Sequence, residues 1–396
     1  MFPTNKALAT QHLEEFLPRA GIDYTSTRNY DYGRGWRQNV SMLSPCVRLR
    51  LLPEWEICRK ALAHYKISQA SKFIDEVCWR TYWKGWLEQR PSVWATYLTE
   101  LKSELTNRFD GSEYHKITEG NSGIKFMDTW TRELKETGYL HNHTRMWYAS
   151  IWIHTLKLPW VLGADFFMRH LLDADPASNT LSWRWVAGLH TPGKCYLAQA
   201  DNIRKFTNGQ INPDIQLATE PAELALSTIQ PEPERLTHSK PLPTQGRIGL
   251  LLHDEDLSAA SWLKQTSNCE SIAGILPVSD YRCHKLSASV TEFRSACLKE
   301  TLAENDGTYC TTVEAVLDWA QATKLDHVIM AQPSVGIWSE VLPTLETAFN
   351  TQNIQLTTKR HWWDEQLFPH ATAGFFKFKK AIPSALTQLE TPLLKL

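Results

Sequence analysis

The sequence predicts a mainly α-helical domain followed by a smaller, doubly wound α/β domain. Two patterns and one break carry that expectation. Apolar residues recur at three and four spacings over 54–65, 69–87, 93–106, 126–139 and 143–156, the period of helices with one buried face. Beyond residue 246 the pattern changes to short apolar runs, RIGLLLHD (247–254), ESIAGILPVSD (270–280), HVIMAQ (327–332) and IQLTTKRHW (354–362). These read as strands, and helical patterns at 289–304, 312–323 and near 337–350 separate them. Strand–helix alternation of this kind builds a parallel sheet with helices on both faces. The break is 221–245, which holds five prolines and reads as a linker. The expected units are therefore 1–220, 221–245 and 246–396.

Composition narrows the class. A chain of 396 residues is long enough for two or three sizeable cores. Its 8 cysteines include no C-x-x-C pair, which argues against a zinc ribbon or a tightly spaced iron–sulfur motif, and no metal is expected. Reduced thiols in a cytoplasmic protein are the simplest reading. No apolar run approaches the length of a membrane span, and the N-terminus lacks the apolar stretch of a signal peptide. Residues 1–220 hold 27 Lys and Arg against 23 Asp and Glu, while 221–396 hold 15 against 20. The basic surplus in the first part favours a polyanionic partner there. Most of the 17 tryptophans are expected to be core packing.

The densest cluster of chemistry lies in 138–185. Asn142, Arg145 and Met146 sit on one helical pattern, and Trp160 opens another. Asp173-Ala174-Asp175 is followed by Asn179, then by Trp183 and Trp185. Upstream, Glu76, Trp79, Arg80 and Trp83 share one face of a helix. Near 24–50, Tyr24 precedes the run Ser41-Met42-Leu43-Ser44 before Pro45, where hydroxyls and free N–H groups suit a diphosphate. Each piece alone has an ordinary reading: a helix cap, an amphipathic helix with a charged rim, a loop Asp-x-Asp. Tyr30 and Arg34 also repeat the spacing of Tyr24 and Arg28, so either tyrosine fits.

Taken together at these spacings, residues 24–207 resemble the FAD-binding core of the photolyase/cryptochrome family. The resemblance implies FAD as cofactor, held by Tyr24, Ser41, Met42, Leu43, Ser44, Arg80, Asn142, Arg145, Asp173, Asp175 and Asn179. Arg145 would pair with Asp173 beside the flavin, Asp175 would touch the ring edge, and Asn179 would lie opposite N5. A lesion pocket would be formed by Glu76, Trp79, Met146 and Trp185, with Asn142 facing both flavin and lesion. Glu76 would hydrogen-bond the lesion and could donate a proton to its anion radical. His141-Asn142, where members repairing the (6-4) photoproduct usually carry His-His, favours cyclobutane dimers. Trp183 and Trp160 match the inner and middle members of an electron-transfer chain. No outer tryptophan occurs in 105–114, which leaves Trp160, a tyrosine, Trp130, Trp147 or Trp152 as the terminus.

The function implied is light-dependent repair of pyrimidine dimers in DNA, with excited FADH⁻ as electron donor and catalytic roles for Glu76, Asn142, Trp160 and Trp183. The alternative is a cryptochrome-like blue-light receptor that signals to a protein partner through flavin photoreduction. A monomer is expected. Most family members place the α/β domain first, and here it follows the helical one. Two readings fit that order: a circular permutation, since domain termini often lie close together, or an unrelated α/β domain.

Overall fold

The computed structural model describes residues 2–107, 111–191, 194–223, 230–237, 239–277 and 285–390. Helices form where the three-and-four spacing places them: Glu54–His64, Ile67–Glu88 (α1), Ser92–Asn107, Lys125–Thr137 and Asn142–Ser150 (α2). A π turn over Ile151–Thr155 follows, then Trp160–His170 (α3), Pro176–Val186 (α4) and Ala200–Phe206. Their apolar stripes meet in one core rich in aromatic residues, including Trp86, Trp94, Trp147, Trp152, Trp160 and Trp183.

Local chemistry explains how the two halves of the 138–185 cluster meet. Gly138 ends the helix Lys125–Thr137 in the left-handed region, at φ 67°, with its N–H bonded to Leu134 O. A Cβ there would lie 2.5 Å from Leu172, so the glycine also permits close approach. Leu172 N–H then donates to Gly138 O at 2.9 Å. That bond ties the start of α2 to the Asp-Ala-Asp loop. Asp175 caps α4, accepting from Ser178 N–H, with Pro176 at the first helical position.

The strands are β1 (Ile248–Leu252), β2 (Cys269–Ile275), β3 (Thr308–Cys310), β4 (His327–Ala331) and β5 (Gln355–Lys359). All pairings are parallel, in the order β3-β2-β1-β4-β5, which is the expected doubly wound sheet. Side chains alternate between two covered faces. Leu251, Ile275, Val328 and Met330 pack on Val316, Trp319, Val341 and Phe349. Leu250 and Leu252 pack on Val290 and Leu298, and the same cluster takes in Ala9, Leu13 and Phe16 of the helix Lys6–Phe16. One sheet face is thus completed by the chain's N-terminal helices.

The boundary by packing differs from the boundary by composition. After β5, Trp363, Leu367, Phe375, Phe378, Ile382 and Leu386 enter the helical core and not the sheet. The stretch 246–396 therefore serves both bodies, because its last aromatic residues fit the helical core. The three-residue β3 and the helix Ala259–Thr266 are too short to register as periodic patterns. Described residues of 221–245 form no helix or strand and are pinned by Arg90 Nε to Pro231 O (2.9 Å) and Glu234 N to Gln89 O (2.7 Å). Residues 224–229 and 238 of that linker, 278–280 of the expected strand 270–280, and 108–110 lie outside the described residues.

The two bodies are locked by buried charge. The loop His253–Asp256 leaves the carboxyl end of β1, beside the point where the strand order reverses, a usual ligand crevice. Here arginines of the first body occupy it. Arg48 donates to Ala174 O (2.9 Å), Asp254 O (2.9 Å) and Glu255 (2.6 Å). Lys84 reaches Glu255 at 3.0 Å. Arg50 is shared by Glu54 (3.2 Å), Asp256 (3.1 Å) and Asp364 (2.6 Å). Burial works against the charged forms of Asp254 and Glu255, yet Arg294 and Arg48 hold the first below its ordinary pKa, and Arg48 and Lys84 the second.

Replacing Arg50 leaves three buried carboxylates with no shared cation. Arg50→Met should cost about 3–5 kcal/mol of stability in urea unfolding, the usual penalty for a stranded buried charge. A loss under about 1 kcal/mol would show that the carboxylates find other partners.

Candidate functional site

A cavity of about 510 Å³ opens between α1, α2, α4 and the segment before Pro45. Its wall includes Tyr24, Ser41, Met42, Leu43, Ser44, Glu76, Trp79, Arg80, Asn142, Arg145, Met146, Asp173, Asn179, Trp183 and Trp185. Fifteen residues from five separated segments thus share one surface. Of the expected site residues, Asp175 and Trp160 do not reach it.

The acidic loop is the floor of the site. Arg145 grips Asp173 with two parallel bonds, Nη1 to Oδ1 and Nη2 to Oδ2, each 2.9 Å. Its Nε donates to Leu140 O at 2.8 Å, which fixes the fork. Burial favours the neutral acid at Asp173, but Arg145, Arg80 and a hydrogen bond from Ser44 outweigh it and hold its pKa below the ordinary value. The pair is ionised, and Arg145 faces the cavity as a positive group that tolerates an anionic ligand. Tyr139 lies under its guanidinium, 5.3 Å from the ring centre.

Asp175 has a different place from the one expected. It is fully buried, caps α4 and pairs with Arg80. Its Oδ1 accepts from Ser178 N–H and its Oδ2 from Arg80, so both carboxylate oxygens are engaged within the protein. Asn179 lies one turn further on, where its amide donates to Ala164 O at 2.8 Å while the residue lines the wall. Beside it the Ser178 hydroxyl is buried at the wall without a partner. An unpaired hydroxyl there is suited to the polar edge of a bound group.

The two candidate tyrosines lie in different places. Tyr24 lines the cavity, packed edge-on against Phe16 and Phe73, whereas Tyr30 stacks on Tyr32 at 5.7 Å. Met42 turns through the left-handed region at φ 52°, a strained conformation for a residue with a side chain. That turn presents Ser41 to Ser44 along one side of the cavity.

The opposite rim comes from α1. Glu76 stands at the mouth, 3.5 Å from Arg28, with its side chain 38% exposed. Packing around its remaining faces raises its pKa, and the nearby Arg28 does not cancel this. Trp79 stacks face to face on Phe375, ring centres 3.9 Å apart and planes 10° apart. Asn142 and Met146 occupy adjacent turns of α2, with the Asn142 amide 3.9 Å from the Met146 sulfur. His141 caps α2 by accepting from His143 N–H, and burial pushes it down to about 4, so it is neutral at pH 7.

The tryptophans give a second departure. Trp183 lines the cavity and fits against Gly163, where a Cβ would come within 2.3 Å of its ring. Its ring neighbours are Phe167 at 5.1 Å and Trp152 at 6.2 Å. Trp152 sits in the π turn and meets Tyr114 at 5.9 Å. Trp160 instead neighbours Tyr97 at 5.6 Å. Ring contacts therefore lead from the cavity wall through Trp152, one of the detours the sequence left open. Wall residues that the sequence did not single out include Tyr139, Ser178 and Ser182. A Ser three and seven places after Asp175 is the only signal they left.

The wall chemistry fits a large, flat, anionic cofactor: hydroxyls along one side, an arginine held by a buried carboxylate, and aromatic planes between. Comparison with known proteins agrees. Residues 73–209 match the FAD binding domain of DNA photolyase. The chain is 25% identical over 253 residues to a deoxyribodipyrimidine photo-lyase of Agrobacterium fabrum, covering 59% of this chain and 52% of the relative. It is 32% identical over 178 residues to the deoxyribodipyrimidine photo-lyase of Streptomyces griseus, covering 42% and 38%. The matches thus span about half, or less, of these relatives' lengths. Among solved structures, a bacterial class III photolyase from Agrobacterium tumefaciens aligns with 25% identity and a TM-score of 0.42 over 51% of this chain and 44% of that one. The match to the FAD binding domain of DNA photolyase thus lies in the helical part of the chain, which carries most of the cavity wall.

Proposed function

We propose that this protein is a light-dependent DNA repair enzyme acting on cyclobutane pyrimidine dimers. One observation carries the reading. The residues expected to face a lesion, Glu76, Trp79, Asn142, Met146 and Trp185, open onto the same cavity as the cofactor set Ser41–Ser44, Arg145, Asp173 and Asn179. A light sensor needs the second set and not the first. The relatives' names point the same way, since they are photo-lyases.

Bound in its reduced form, FAD would supply the light-driven electron that opens the cyclobutane ring and would take it back once the ring has split. The remaining tasks fall to this chain. Arg145, fixed by Asp173, balances negative charge at the floor of the cavity. Trp79, rigid against Phe375, offers its other face to an extruded pyrimidine pair. Glu76, with its raised pKa, is poised to keep a proton at the mouth and to donate it toward a pyrimidine carbonyl. Asn142 and Met146 border the same space from α2. Trp183 relays electrons inward from Trp152 when the cofactor starts oxidised.

The reading is tested by illuminating the chemically reduced holoprotein with dimer-containing DNA and measuring dimer loss. Dimers should disappear only in light. An absence of loss, with flavin bound and reduced, would favour the sensor alternative. Glu76 adds a pH signature. Its protonated form persists to higher pH than an ordinary glutamate allows, so dimer loss per absorbed photon should fall as pH rises through its titration. Glu76→Gln, which cannot titrate, should flatten that dependence, and an unchanged profile would remove Glu76 from the proton step.

Trp183→Phe separates electron supply from repair. Photoreduction of oxidised FAD should slow at least about tenfold, equivalent to about 1.4 kcal/mol in barrier. Repair by chemically pre-reduced protein should stay near wild type. Equal losses in both assays would mean that Trp183 shapes the cavity and does not relay electrons.

A further inference from the structure

We propose that residues 372–381 form a strip that grips DNA beside the cavity mouth, with Phe376 stacking on a base and Lys377 and Lys380 meeting phosphates. The proposal rests on the repair reading and adds a contact surface that the cofactor and lesion sets do not contain. The segment reads TAGFFKFKKA, and its residues divide cleanly by side. Phe375 and Phe378 are buried in the helical core. Phe376 is 84% exposed, the highest value among the exposed large apolar side chains of the described residues. Lys377 and Lys380 are exposed on the same short stretch.

Two contacts place the strip at the mouth. Phe375, the neighbour of Phe376, is the ring stacked on Trp79, and Trp79 lines the cavity. One turn earlier on α1, Asp75 is paired with Lys379. The strip therefore runs along the α1 face that carries Asp75, Glu76 and Trp79. Lys379 neutralises Asp75, and Glu76 faces Arg28, so the carboxylates bordering the strip are already countered. Lys72 is exposed one turn further back on the same helix. Among the described residues, Lys377 is exposed and donates to the Thr372 hydroxyl at 3.2 Å, with no carboxylate paired to it.

An exposed phenylalanine flanked by free lysines is poorly suited to water alone, and its charge complements a polyanion. A pyrimidine pair drawn into the cavity leaves unpaired bases next to it. An aromatic ring set beside the mouth can stack on one of them, while the lysines hold the adjoining backbone. A protein partner or a second copy would bury Phe376 without needing the lysines' charge.

The test uses the FAD-loaded full chain and a fluorescein-labelled duplex with one thymine cyclobutane dimer. Anisotropy is read over a potassium chloride series, with an undamaged duplex as reference. Phe376→Ala should weaken dimer-duplex binding about 5- to 150-fold, the range for losing one stacked base. Lys377→Gln combined with Lys380→Gln should lower the magnitude of the slope of log affinity against log salt by about 1.8, or about 0.9 per phosphate contact. Both variants change exposed side chains, and flavin absorbance per chain should match wild type. If wild type prefers the dimer duplex and both variants keep its affinity and slope, the strip is overturned while the repair reading stands. If wild type shows neither preference nor dimer loss in light, both fall. If Phe376→Ala instead converts a sedimenting dimer to monomer at unchanged DNA affinity, the surface pairs two copies and the proposal is overturned.

Discussion

The carbonyl of Ala174 is the point on which both bodies of this protein close. Two arginines donate to it: Arg48, at 2.9 Å, from the N-terminal helices, and Arg294, at 3.1 Å, from the helix Ala288–Ala303 of the α/β body. On either side of Ala174 stand Asp173, held by Arg145, and Asp175, held by Arg80. A three-residue loop thus carries two ionised carboxylates and a doubly hydrogen-bonded carbonyl, all buried or nearly so. Its shape is fixed because each of these polar groups would be costly to leave unpaired. The cavity floor inherits that rigidity.

This arrangement ties the α/β body to the Asp173 loop, although none of the described side chains of that body lines the cavity. Asp254 receives Arg294 at 3.1 Å and the Trp338 indole N–H at 2.9 Å, while its carbonyl receives Arg48. The carboxyl end of β1, where doubly wound sheets often take a ligand, is filled instead by the charge network of the interface. Buried ion pairs add little stability for their desolvation cost, but they specify geometry, and here the geometry specified is that of the Asp173 loop. Sheet and cavity are linked through Arg48 and Arg294, each of which bonds both Ala174 O and Asp254.

How much of this was legible in the sequence depends on the range of the interaction. Helices with long apolar stripes, such as Ile67–Glu88 and Lys125–Thr137, were readable because 3.6-residue periodicity is local. So was the convergence of Glu76, Asn142, Arg145 and Asp173, through a resemblance spread over several segments. The capping role of Asp175 was also local in principle: Asp-Pro followed by Ser178 is a helix start, and the family pattern drew attention from it. The ring neighbours of Trp183 were not legible because tertiary packing sets them: Gly163 admits Trp183 and the π turn brings Trp152 to its edge, and neither shows in spacing. The return of Phe375 and Phe378 to the helical core, which places the 372–381 segment against Trp79, is a long-range contact that no periodicity encodes.

The central claim is that the α/β body holds the cofactor loop in shape through Arg294. The most direct measurement is the FAD dissociation constant of Arg294→Gln, taken with circular dichroism and thermal unfolding of the same sample. A charged hydrogen bond is worth about 1.5–3 kcal/mol. The account predicts FAD affinity lower by about tenfold or more in a variant whose helical and sheet content is intact. A folded Arg294→Gln protein that binds FAD as tightly as wild type would contradict it.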